Sequence, residues 1–120
     1  MDRRAQGRQY EAAAKSYLVK LGFQAIRENY HCRWGEIDLV MRHGDYLVFV
    51  EVRYRARDSL TDGALSVDGR KQQKLCRTGQ DYLLRHAHPE ALARFDVIAL
   101  SHSTDGAIEF NHIQNAFECA

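Results

Sequence analysis

Gly35-Glu36-Ile37-Asp38-Leu39-Val40-Met41-Arg42-His43-Gly44-Asp45-Tyr46-Leu47-Val48-Phe49-Val50-Glu51-Val52-Arg53 decides how the rest of the chain is read. Residues 35–41 and 46–53 predict two strands, the second rich in β-branched and aromatic side chains that suit a pleated surface. Arg42-His43-Gly44-Asp45 predicts a compact turn, with Gly44 free to take positive φ. With His43-Gly44 as a two-residue loop, Arg42 faces Asp45, Asp38 faces Phe49 and Glu36 faces Glu51. Opposed residues share a face, so Glu36, Asp38, Glu51 and Arg53 project from one side. Ile37, Leu39, Val48, Val50 and Val52 then point into the core, an arrangement that a one-residue slip would destroy.

That acidic face carries an electrostatic cost. Like charges opposed across a ladder destabilise it, and two carboxylates about 5 Å apart repel by roughly 3 kcal/mol at an effective dielectric constant near 20. Three outcomes relieve the strain: full solvation, a raised pKa on one acid, or a bound divalent cation. Oxygen ligands on strands suit magnesium or manganese. Solvated Glu and Arg side chains on a strand face are also ordinary, so the pattern alone leaves these outcomes open.

Outward from the hairpin, Tyr10, Ala13, Ala14, Tyr17, Leu18 and Leu21 form the stripe of an amphipathic helix, closed by Gly22. Glu11 borders that stripe, where its carboxylate can face the sheet. Residues 23–27 predict a short strand. Residues 54–67 predict a loop long enough to suggest a role. Asp68 is a good N-cap for a second helix with Leu75, Gly79, Tyr82 and Leu83 on its apolar side. Residues 95–100 and 108–113 predict two further strands. The order α-β-β-β-α-β-β implies one α/β domain over residues 1–120, a mixed β-sheet flanked by helices.

Composition narrows the class. The 120 residues are 45% hydrophobic and 28% charged, with eight Gly and one Pro. These values exclude collagen-like, coiled-coil and disordered chains. Net charge is +1, but residues 53–85 hold eight basic against four acidic side chains, a local excess suited to a polyanion. Three widely spaced cysteines, Cys32, Cys76 and Cys119, indicate neither a disulfide framework nor a zinc knuckle. A reducing, cytoplasmic setting is the expectation, with no membrane span and no secretion signal.

The hairpin string resembles the YraN family, small bacterial proteins related to Holliday-junction resolvases and other PD-(D/E)xK nucleases. The first helix with Glu11, Arg70-Lys71-Gln72 and Arg94-Phe95-Asp96-Val97-Ile98-Ala99 extend the resemblance over most of the chain. It implies a restriction-endonuclease/resolvase-like core and cleavage of DNA phosphodiester bonds, branched DNA included, with magnesium or manganese. Asp38 and Glu51 would be the nuclease acids, Arg53 would stand at the lysine position, and Glu11 would be the helix acid. The carbonyl of Val52 would be a further metal ligand, and Glu36 would act through water or as an orienting group. Two departures stand out. Ile37 replaces the proline before Asp38. Arg53 replaces lysine, and arginine keeps its charge in essentially any site, so it cannot serve as a base. A homodimer is raised by the same resemblance, since such nucleases often cut two strands, although no dimer face is marked.

Around this site, Arg70, Lys74 and Arg77 lie on one side of the second helix with Lys71 near its start. Arg55 and Arg57 lie in the preceding loop. All six could contact backbone phosphates of DNA or RNA, or simply form a solvated face. Trp34 could stack on an exposed base or cap the core at a strand entry. Gln72 and Gln73 read as surface residues. Asp96 reads as a sheet-edge or locally bonded residue, or as a support for the site. Two rival functions belong to other classes: a non-catalytic nucleic-acid-binding module, in which Arg53 marks a degenerate nuclease, and a protein-interaction domain on the same scaffold.

Overall fold

The computed structural model describes residues 3–55, 67–88 and 90–119. Its elements are α1 (Arg3–Lys20), β1 (Gln24–Cys32), β2 (Gly35–His43), β3 (Tyr46–Tyr54), α2 (Gly69–His86), β4 (Ala93–His102) and β5 (Ile108–Phe117). The five strands form one mixed sheet in the order β1-β2-β3-β4-β5. Only β3 and β4 run parallel. A parallel pair needs a crossover, and α2 supplies it. This is the α/β class and element order expected from the sequence.

β3 and β4 are covered on both faces, which explains why they read as near-continuous apolar runs. On one face Val40, Leu47, Phe49, Phe95 and Val97 pack with Leu75 and Tyr82 of α2. On the other, Leu39, Met41, Val48, Val50, Ile98 and Leu100 pack with Ala14 and Leu18 of α1. α2 begins as expected: Asp68 is the N-cap, and its side chain accepts from the Lys71 N–H at 2.9 Å. Gly79 lets the helix close on the sheet, because a Cβ there would meet Phe95 Cζ at 2.9 Å and Phe49 Cε2 at 3.0 Å. Among the described residues no helix is long and apolar enough to cross a membrane.

Four expectations are corrected. The hairpin loop is Gly44-Asp45, with His43 paired to Tyr46 and Leu39 to Val50. Gly44 (φ 62) therefore takes the first loop position, where the primed turns of tight hairpins demand positive φ, and His43 is spared it. The shift is two residues, so the parity of the faces survives, but Glu36 does not face Glu51. Second, the apolar residues of β2 do not share one core: Ile37 belongs to the α2 side and Leu39 to the α1 side. Third, β1 is longer than expected, running to Cys32. Fourth, Cys76 and Cys119 are joined in a disulfide, leaving Cys32 free. The cysteine count therefore no longer argues for a reducing compartment.

Candidate functional site

The β2–β3 ladder ends at Leu39–Val50, and alternation in β2 breaks just beyond it. There the two strands part. One step past the last pair, Asp38 comes level with Glu51, and Asp38 Oδ2 accepts the Val52 N–H at 2.8 Å. Asp38 and Glu51 are close enough that a hydrogen bond forms between them only while Asp38 is protonated. Burial first, and then the charge of Glu51, push the Asp38 carboxyl up to about 8, against the opposing pull of the Val52 bond. This is the raised-pKa outcome among the three that the sequence left open.

Glu11 approaches from α1. Its carboxyl is raised by burial, and the charges of Glu36, Glu28 and Glu51 add to this while a bond from Asn29 opposes it. Asn29 sits in the left-handed region (φ 54), where asparagine is among the few non-glycine residues found. Its role was not visible in the sequence, where Asn29 is one polar residue among several. Glu36 is exposed and pairs with His31 Nδ1 at 3.2 Å. The expected four-residue acidic face thus resolves into a half-buried pair, a neighbouring Arg53 and an outlying Glu36.

The pair has a cation of its own. Lys71 Nζ lies 3.3 Å from Glu51 Oε2, with Glu51 11% and Lys71 44% exposed. Lys71 was expected among the phosphate contacts; its helix instead delivers it to the acid pair. Arg53 is half-buried, and its pKa is drawn down by burial and by Arg55 while Glu51 and Asp68 pull it back up. A cleft of about 820 Å³ opens over the site, lined by Gln6, Gly7, Tyr10, Glu11, Asp38, Val52, Tyr54 and Arg55. Tyr10 and Tyr54 stack at 4.4 Å and wall it. Arg55 is thereby placed at the cleft; Arg57 lies outside the described residues. Gln72 is not a bare surface residue, since its amide donates to Val67 O at 2.6 Å.

Among the described residues no three His, Cys, Asp or Glu side chains converge as a ready-made metal cage. That does not exclude a magnesium-type site. Such ions keep several waters and are held by one or two carboxylates together with substrate phosphates. Asp38, Glu51 and the Val52 carbonyl are an all-oxygen donor set of that kind, and their mutual repulsion is what a cation would relieve.

Arg70, Lys74 and Arg77 line a separate recess with Arg33, Trp34 and Gln73. Asp96 is neither at a sheet edge nor part of the site. It is fully buried, held by Arg94, His112 and the Asn115 N–H.

Comparison with known proteins identifies the family. The chain is 47% identical over 107 residues to a UPF0102 protein of Methylobacillus flagellatus, covering 89% of this chain and 91% of that one. It is 48% identical over 117 residues to a UPF0102 protein of Stutzerimonas stutzeri, covering 93% of each. The model of the uncharacterised protein family UPF0102 matches residues 10–100, a span that holds Glu11, Asp38, Glu51, Arg53 and Lys71. On these matches the chain belongs to UPF0102, the YraN family.

Proposed function

We propose that this protein is a divalent-metal-dependent endonuclease acting on DNA. The observation that carries the reading is the half-buried, mutually perturbed Asp38–Glu51 pair, of which Asp38 lines an open cleft together with Val52 and Glu11. Buried, mutually perturbed acids in a cleft are where functional sites concentrate.

Asp38, Glu51 and the Val52 carbonyl would hold magnesium or manganese, which when bound supplies charge for a phosphate oxygen and lowers the pKa of water. The chain's own residues do the rest. The Val52 N–H fixes the orientation of Asp38 Oδ2. Asp38, held protonated by its surroundings, would have to be deprotonated for the pair to hold a cation. Arg53 stays charged, so it stabilises phosphate charge and accepts no proton. Lys71 brings a second positive charge from α2, and Arg70, Lys74 and Arg77 supply backbone contacts along the same helix. Glu11 flanks the cleft beside Asp38.

The test is cleavage of labelled duplex, single-stranded, flapped and four-way-junction DNA with magnesium, manganese or chelator. Nicking is expected with metal and absent with chelator, abolished by Asp38→Ala and Glu51→Ala, and retained or raised by Arg53→Lys. Unchanged cleavage by purified Asp38→Ala protein defeats the site assignment. The second reading, a binding module without turnover, is favoured by one observation, the arginine at the lysine position. It requires equal nucleic-acid binding with and without chelator and no product with any metal.

A further inference from the structure

The recess beside Trp34 is chemically unlike the acid cleft. Its lining is Arg33, Trp34, Arg70, Gln73, Lys74 and Arg77, a cavity of about 310 Å³ with four cations and no carboxylate. None of the four cations is paired with a carboxylate among the described residues. Trp34 is half-buried and belongs to neither apolar cluster, so it does not cap the core. The guanidinium carbons of Arg33 and Arg77 lie 4.5 and 4.9 Å from its ring centroid. The turn that carries Trp34 is pressed onto α2, for a Cβ at Gly35 would come within 3.3 Å of Thr78 Oγ1.

From these features we infer that Trp34 is a stacking platform for an unpaired base of single-stranded or flapped nucleic acid, with Arg33, Arg70, Lys74 and Arg77 holding the flanking phosphates. A flat indole among unneutralised cations matches that ligand: stacking accepts any base, and the cations track the backbone. An exposed guanidinium over an indole is a weak cover, and a base stacks on the ring more strongly than it does. Duplex bases are already stacked and offer Trp34 no face. The platform deepens the nuclease reading and rests on it for its consequence. α2 runs from Lys71 at the acid pair to Arg77 at the platform, six residues or about 9 Å. That is about two to three nucleotides at the 3.4 Å rise of a stacked strand, so a strand seated on Trp34 reaches the acids close to a single-strand–duplex junction.

Trp34 is the only tryptophan of the chain, so its emission reports on the platform directly. In chelator, where no metal-dependent cleavage occurs, the protein is titrated with a thymidine 12-mer and with a blunt 12-base-pair duplex. The 12-mer is expected to quench Trp34 and to bind at least 10-fold tighter than the duplex. By anisotropy of a labelled 12-mer, Trp34→Ala is expected to bind at least 10-fold weaker, with Trp34→Phe recovering most of the loss. Absence of quenching, or a duplex preference, overturns the platform without any variant having to fold. Metal-dependent nicking with a silent Trp34 overturns the platform and leaves the acid-pair reading standing. Quenching without nicking under any metal supports the platform as a binding site and removes the nuclease reading instead.

Discussion

Asp38, half-buried, and Asp96, fully buried, are carboxylates on interior strands, and the fold treats them in opposite ways. Burial alone would raise Asp96, but bonds from His112, Arg94 and the Asn115 N–H outweigh it and leave its pKa lowered. Every lone pair that matters has a donor: Arg94 Nε at 2.9 Å, His112 Nε2 at 2.8 Å and Asn115 N at 3.0 Å. Asp38 has one backbone donor, and its closest charged neighbours are acids. The chain thus has the means to neutralise a carboxylate and uses them at Asp96 and not at Asp38. A site left electrostatically unfinished under an open cleft is poised for something that arrives from outside.

The sharpest way to break this comparison is to remove each carboxylate. Asp96→Ala strips a buried network of its centre and strands the guanidinium of Arg94, and is expected to cost about 3–5 kcal/mol in urea unfolding. Asp38→Asn keeps an oxygen for the Val52 N–H and removes the repulsion. Its sign depends on pH. Native Asp38 holds its proton up to about 8 whereas the unfolded chain releases it near 3.8. The native state therefore binds more protons across that window, and the wild-type protein loses stability as pH rises through it. Asp38→Asn is expected to be more stable than wild type at pH 8 by on the order of 3 kcal/mol, with the difference gone at pH 4. Asp96 runs the other way: its contribution is present above 3.8 and fades as acid carries the pH below that value. A gap between Asp38→Asn and wild type that does not change with pH would mean that the acid pair is not strained.

Manganese or magnesium probes the same strain from the ligand side. At 100 times its dissociation constant, a cation that binds only the folded protein adds about 2.7 kcal/mol. The melting temperature is expected to rise with metal at pH 8, less at pH 5 where protons occupy the pair, and not at all in Asp38→Asn. Asp96 should be silent to metal at both pH values, and an equal shift in Asp38→Asn would place the ion elsewhere.

Much of this was legible in the residues, and the failures have physical causes. The hairpin was readable because Gly44 punctuates two runs of alternating or β-branched residues. Its register was off by two because the loop was centred one residue early; the positive φ belongs to Gly44 at the first loop position. β1 was clipped because Gln24–Cys32 is a largely exposed edge strand with no apolar alternation to follow. The left-handed Asn29 and the face switch in β2 came from tertiary demands at the fork. The Cys76–Cys119 link spans 43 residues and depends on how β5 ends against α2, which no spacing rule contains. The acidic character of the hairpin is conspicuous in the sequence, but the residues alone oppose Glu36 to Glu51, and it is the family resemblance that singles out Asp38 and Glu51. Lys71 was found but assigned to phosphate, since its contact with Glu51 depends on how closely α2 packs on Phe49 and Phe95 at Gly79.

Removing the cation beside each acid gives the smallest and most discriminating contrast. Lys71 is nearly half exposed, so its pair with Glu51 is worth about 0–1 kcal/mol, and Lys71→Met should cost no more than that. Arg94 is 12% exposed and its partner Asp96 is 0% exposed, so Arg94→Met leaves a buried charge uncompensated and should cost about 3–5 kcal/mol. Lys71 also competes with any metal for Glu51, because one carboxylate cannot fully satisfy both cations. Lys71→Met is therefore expected to bind manganese as tightly as wild type or a few-fold tighter, while nicking of a flapped substrate falls. Urea unfolding of the two variants side by side, with a manganese titration of Lys71→Met, checks each step. Equal stability losses would show that Lys71 neutralises the acid pair as completely as Arg94 neutralises Asp96, and the contrast between the two sites would disappear.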